Sequence, residues 1–113
     1  MKRDLRLYLD DIVQSLDLIQ EHTEGITKEG FYRNVLVQDA VIRRLEIIGE
    51  AARHVPARIR DKHPDIRWQD IVGMRNILAH EYFGVQLGRA WQVVQEDLPT
   101  LRAMIVKMKE ELS

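Results

Sequence analysis

The chain has 113 residues, 45% hydrophobic and 31% charged, the balance of a folded chain and a length that fits one hydrophobic core. With no cysteine and a formal net charge of -1 at pH 7, disulfides, thiolate nucleophiles and cysteine-based zinc sites are excluded, as is a grip on nucleic acid made by bulk charge alone. No apolar run approaches the length that crosses a bilayer, and Asp4 and Asp10 interrupt any N-terminal secretion signal, so the expectation is one cytoplasmic domain over 1–113 with no membrane partner.

Leu5, Leu9, Ile12, Leu16 and Ile19 recur in steps of four and three, which predicts an amphipathic helix from about Arg3 to His22. Thr23 to Gly30 holds two glycines and reads as a connection, with Thr27 placed to cap a short turn. A second helix is expected from about Val35 to Val55, with the stripe Val37, Val41, Leu45, Ile48, Ala52 and Val55. A neighbouring stripe of Leu36, Ala40, Ile47 and Ala51 widens its apolar arc, as in a helix that touches more than one neighbour. Pro56 opens a short basic helix, where a proline lacks only an N–H that has no intrahelical partner, and Pro64 ends it.

Trp68 to Tyr82 reads as a third long helix with Ile71, Met74 and Leu78, and with them Ile77 as a further candidate, facing inward, stopped by Gly84. Leu87, Trp91, Val94, Leu98, Leu101, Ile105, Met108 and Leu112 predict a last helix, which Pro99 should kink or restart because it cannot bond to Gln95. No alternating strand pattern and no repeat is present. The fold class expected is all-α, an up-and-down bundle of about four main helices plus the short basic one.

Polar groups concentrate in the third helix. In Met74 to Gly84, Asn76 and His80 are one turn apart and share a face, while Arg75 is offset from His80 by about 140° and reaches across through its long side chain. An Arg fork and an imidazole can then meet one phosphate. A lone histidine at the end of an apolar helix is more often a core or capping residue than a catalyst, but Arg75, Asn76 and Tyr82 beside it shift that balance. A second basic group, Arg53, Arg58, Arg60, Lys62 and Arg67, suits phosphate recognition, although charge clusters are also common on solvated surfaces. His22, His54, His63 and His80 show no HExxH or other ligand spacing, so neither a metal nor a cofactor is expected.

The segment around Arg75, His80 and Tyr82 resembles the Arg-x-x-x-x-His-x-Tyr motif of HepT-like toxins, a branch of the HEPN ribonucleases. The resemblance extends to the helix Leu36 to Ala52 and to Glu96-Asp97-Leu98-Pro99, and so to nearly the whole chain. It implies a metal-independent RNA endonuclease, the toxin of a type II toxin and antitoxin pair, with Arg75 and His80 catalytic and RNA, transfer or messenger, as substrate. It also implies a homodimer whose two Arg and His pairs line one cleft, for which the second stripe of the Val35 to Val55 helix offers a surface, unless the first and last helices of the same chain cover it. A cognate nucleotidyltransferase antitoxin would transfer AMP to Tyr82, where the bland reading is a ring packed on the bundle. Asn76 could orient the imidazole or the phosphate, or be a surface amide. The alternative reading is a non-catalytic helical binding subunit of a nucleotidyltransferase, which leaves the Arg75 and His80 pair without a purpose.

Overall fold

The structure, a computed structural model, describes residues 4–73 and 83–112, with side chains described up to Gly73 and again from Leu87. Helix α1 (Leu5–Thr23) starts at Asp4, whose carboxylate accepts the backbone N–H of Arg6 at 2.9 Å. That bond and the Arg6 guanidinium hold the Asp4 carboxyl below its ordinary range. The expected stripe is buried, with Leu9, Ile12, Leu16 and Ile19 all in the core.

The Thr23 hydroxyl donates to the Ile19 carbonyl at 2.8 Å, and Gly25, at φ 74°, makes the left-handed turn that a side chain would resist. What the sequence suggests as a connection contains a helix, α2 (Lys28–Arg33), because the Thr27 hydroxyl accepts the Gly30 N–H at 3.0 Å. Asn34 then caps α3 (Val35–Arg53) by accepting the Val37 N–H at 3.1 Å. The corner is locked by buried Gln38, whose amide donates to the carbonyls of Phe31 and Tyr32 at 2.9 and 3.0 Å. This tight corner turns α3 back along α1, so that Tyr8 near the start of one helix stacks on His54 at the end of the other, with ring centroids 4.5 Å apart.

Helix α3 ends two residues before the expected Val55, since His54 takes the cap and Pro56 forbids continuation. Pro56 opens α4 (Ala57–Arg60) as expected, with Ile59 buried beneath it. Residues 68–73, here α5, are helical, and α6 (Phe83–Gln92) follows residues 74–82. Gly84 therefore does not stop a helix: its backbone is helical, within α6, and does not adopt the left-handed conformation of a terminator.

Pro99 does restart the last helix, by a π turn. Val93–Asp97 form one wide turn in which the Leu98 N–H reaches back to the Val93 carbonyl, and α7 (Leu98–Glu111) begins with Pro99 in its first turn. Helix α7 lies antiparallel on α1, with Arg102 bonded to Asp17 at 2.5 Å and Lys109 paired with Asp10. The bundle of helices bears out the all-α architecture; among the described residues no strand occurs.

One buried polar group has no counterpart. The hydroxyl of Ser15, at 0% exposure on α1, finds no hydrogen-bond partner among the described residues, and a buried hydroxyl of that kind opposes folding. Ser15→Ala is therefore expected to leave the urea midpoint unchanged or raise it, whereas Leu45→Ala, which empties a core position, is expected to lower stability by about 2–5 kcal/mol. Equilibrium unfolding of both variants decides the matter.

Candidate active site

Arg75, Asn76, His80 and Tyr82 lie outside the described residues. What the structure describes is the frame on both sides of them: α5, which leads into that segment, and α6, which follows it.

The entry side is held by three side chains that the sequence does not pair. Trp68, the first residue of α5, is buried and donates its indole N–H to the His63 carbonyl at 3.2 Å. The Arg60 guanidinium carbon stands 5.7 Å from the centre of the Trp68 ring, a cation over an aromatic face. Through Nε and Nη2 the same guanidinium donates to the carbonyls of Val55 at 2.9 Å and Ala52 at 2.8 Å, closing the end of α3. His63 Nε2 in turn lies 3.2 Å from the carboxylate of Glu111 on α7. The exit side is fixed by packing: Phe31 meets Trp91 at 5.3 Å between ring centroids, and a β carbon at Gly88 would stand 3.2 Å from the Tyr32 hydroxyl.

The basic group does not form one patch. Arg53 bonds to Glu50 at 2.7 Å, which raises its guanidinium further above the ordinary range, and Arg67 pairs with Asp70 at 2.8 Å. Arg60 is turned onto the protein's own carbonyls. Arg58 and Lys62 are exposed, with no ion pair among the described residues. Sequence periodicity marks charge but not which carboxylate answers it, and for Arg60 the informative signal was a basic residue shortly after a helix end that needs donors.

Beside α5 runs a groove of about 550 Å³ between residues 65–71 and the α6 to α7 helix, lined by Arg67 and Arg89 but also by Asp65, Asp70, Glu96 and Asp97. Acids outnumber bases among the described residues that line it. Among the described residues no group of three or more His, Asp or Glu side chains is placed to hold a metal ion, and no helix is long and apolar enough to cross a membrane.

The second stripe of α3 is divided. Ala51 is buried within the chain and Ala40 and Ile47 are half-buried, while Leu36 is 83% and Val35 62% exposed. The stripe is thus not a free surface along its whole length; only its amino-terminal end stands open.

Residues 12–108 match the family model described as ribonuclease HepT-like. A Thermococcus cleftensis protein named a probable ribonuclease HepT is 42% identical over 110 residues, covering 97% of this chain and 100% of its own. A candidate RNase of Methanocaldococcus jannaschii is 43% identical over 101 residues, 89% of this chain and 93% of its own. A second protein of that organism, named a gamma-glutamylcyclotransferase and candidate RNase, is 46% identical over 112 residues, 99% of this chain and 50% of its own, so the chain spans half of that relative's length. No solved structure matches the chain significantly.

Proposed function

The chain belongs to the HepT-like ribonuclease family, and from that premise we propose that it is a metal-independent RNA endonuclease, the toxin of a type II toxin and antitoxin pair. The observation that carries this reading is the sequence Arg75-x-x-x-x-His80-x-Tyr82 within the segment that the family model matches.

The chemistry needs few protein groups. The 2′-hydroxyl next to the scissile phosphate attacks it, the 5′-oxygen of the following nucleotide leaves, and the products are a 2′,3′-cyclic phosphate and a 5′-hydroxyl. His80 moves the proton, because imidazole exchanges it near neutral pH. Arg75 meets the negative charge that grows on the phosphorus oxygens with a fixed planar fork. Asn76, one turn before His80, orients the imidazole or the phosphate. RNA cleavage in EDTA is expected to persist in the parent protein and to fall on the order of a hundredfold or more in His80→Ala and Arg75→Ala, with cyclic phosphate termini on the products; a requirement for added magnesium contradicts this mechanism.

One imidazole cannot take a proton on one side of the phosphate while giving one on the other, so a second copy of the chain supplies the partner group across a shared cleft. The exposed Val35 and Leu36 support the amino-terminal end of α3 as part of that contact. Leu36→Asp, which leaves the protomer's own core untouched, is expected to shift the sedimentation of the protein from dimer to monomer and to reduce cleavage with it. An active parent that sediments as a monomer rules the dimer out.

Tyr82, beyond His80 in the motif, is the site at which a cognate nucleotidyltransferase attaches AMP. The added nucleotide places bulk and a phosphate beside Arg75 and His80, so it blocks RNA and competes for the same guanidinium. Tyr82→Phe is expected to keep most cleavage and to escape neutralisation, with mass spectrometry of the chain co-expressed with that enzyme finding AMP on Tyr82 of the parent and none on the variant. Full neutralisation of Tyr82→Phe leaves the tyrosine a packing residue.

A further inference from the structure

Arg60 belongs by sequence to the basic group that suits RNA, and by structure to something else. We infer that Arg60 and Trp68 are positioning residues of the cleavage reaction, a clamp that sets the point from which the chain enters the segment carrying Arg75 and His80; the inference rests on the ribonuclease reading above.

Helix α3 ends in carbonyls that have no intrahelical donor. Arg60 Nη2 donates to the Ala52 carbonyl at 2.8 Å, which also accepts the Val55 N–H at 3.1 Å, and reaches Arg53 more weakly at 3.4 Å, while Nε donates at 2.9 Å to Val55, two residues past the helix. A lysine offers a point charge there and not a fork. Those contacts occupy Nε and Nη2, so the face of the guanidinium that would grip a phosphate through both of them is turned onto the backbone. Its guanidinium instead lies over the Trp68 ring at 5.7 Å, and the Trp68 indole N–H is tied to the His63 carbonyl at 3.2 Å. His63 is anchored to α7 through Glu111. The first residue of α5 is thus referenced at once to the end of α3, to the basic loop and to the end of α7.

Arg75 follows Trp68 by seven residues, and Gly73 is the last described residue before the segment. Catalysis by a proton carrier and a charge clamp depends on placement: a shift of about 1 Å caused far from the chemistry can cost on the order of a hundredfold. A clamp at the entry of α5 therefore acts on the chemical step and leaves remote contacts to RNA alone. A phosphate contact would do the reverse, weakening binding and flattening its dependence on salt.

The two roles separate in steady-state cleavage of one RNA over a range of salt, with thermal unfolding measured alongside. Arg60→Lys retains the charge at the end of α3 but not the fork, and Trp68→Phe retains the ring but not the N–H. For each variant the expected result is a folded protein whose kcat falls at least tenfold, with KM and the salt slope of KM as in the parent. Arg58→Ala, at an exposed position of the same basic group, is expected to give the opposite split, a raised KM with a shallower salt slope. Parent kcat in both clamp variants overturns the inference while leaving the ribonuclease reading intact, and a raised KM with a flattened salt slope in Arg60→Lys makes Arg60 an RNA contact. Loss of fold in both variants assigns the pair to stability alone and equally overturns it. A parent that cleaves no RNA is a different outcome, since it removes the ribonuclease reading itself.

Discussion

The antiparallel seam between α1 and α3 is the constraint on which the other elements depend. Leu9, Ile12, Leu16 and Ile19 from one helix and Val41, Leu45, Ile48 and Ala52 from the other supply much of the buried core, and apolar burial on that scale is the main term that stabilises a bundle of this size. The seam can form only if the chain reverses in the few residues between the two helices. The Gly25 turn, the Thr27 and Asn34 caps and the buried Gln38 amide accomplish that reversal. Helix α7 then lies along α1, directed by Asp17 with Arg102 and Asp10 with Lys109, pairs too exposed to add much stability but placed to select direction.

Seen from the seam, the described elements on either side of residues 74–82 are each held by side chains. On one side α5 starts at a tryptophan held by Arg60 and His63, and on the other α6 is pinned by Trp91 against Phe31 and by the Tyr32 hydroxyl over Gly88. The π turn ahead of Pro99 belongs to the same design. It lets one almost continuous rod serve two partners, α6 facing α2 and α3 while α7 faces α1.

Charge is distributed in keeping with a net value of -1. Most of the basic side chains that look like an RNA surface in one dimension are answered locally, Arg53 by Glu50, Arg67 by Asp70 and Arg60 by backbone carbonyls. Exposed cations such as Arg58 and Lys62 remain, and the described residues that line the groove beside α5 carry more acids than bases. A net charge this small gives the chain no overall field that would hold a polyanion by itself.

The sequence alone determined whatever depends on neighbours a turn or two apart. The helical period gave the all-α class and the core faces of α1, α3 and α7; Thr27 and Pro56 marked helix starts; Pro99 marked the restart; and the spacing of Arg75, His80 and Tyr82 carried the family. Gly84 misled because a glycine is informative only with its backbone angle, which composition does not supply. Only the tertiary structure decided the rest. It buried Ala51 and left Leu36, on the same stripe, in the open; it set the Arg60 guanidinium against carbonyls at the end of α3; and it stacked Tyr8 on His54 and joined His63 to Glu111. Helical periodicity is written in every few residues, whereas a contact between residues far apart in the chain exists only once the reversals between helices have fixed their directions and offsets, and no single stretch of sequence contains that information.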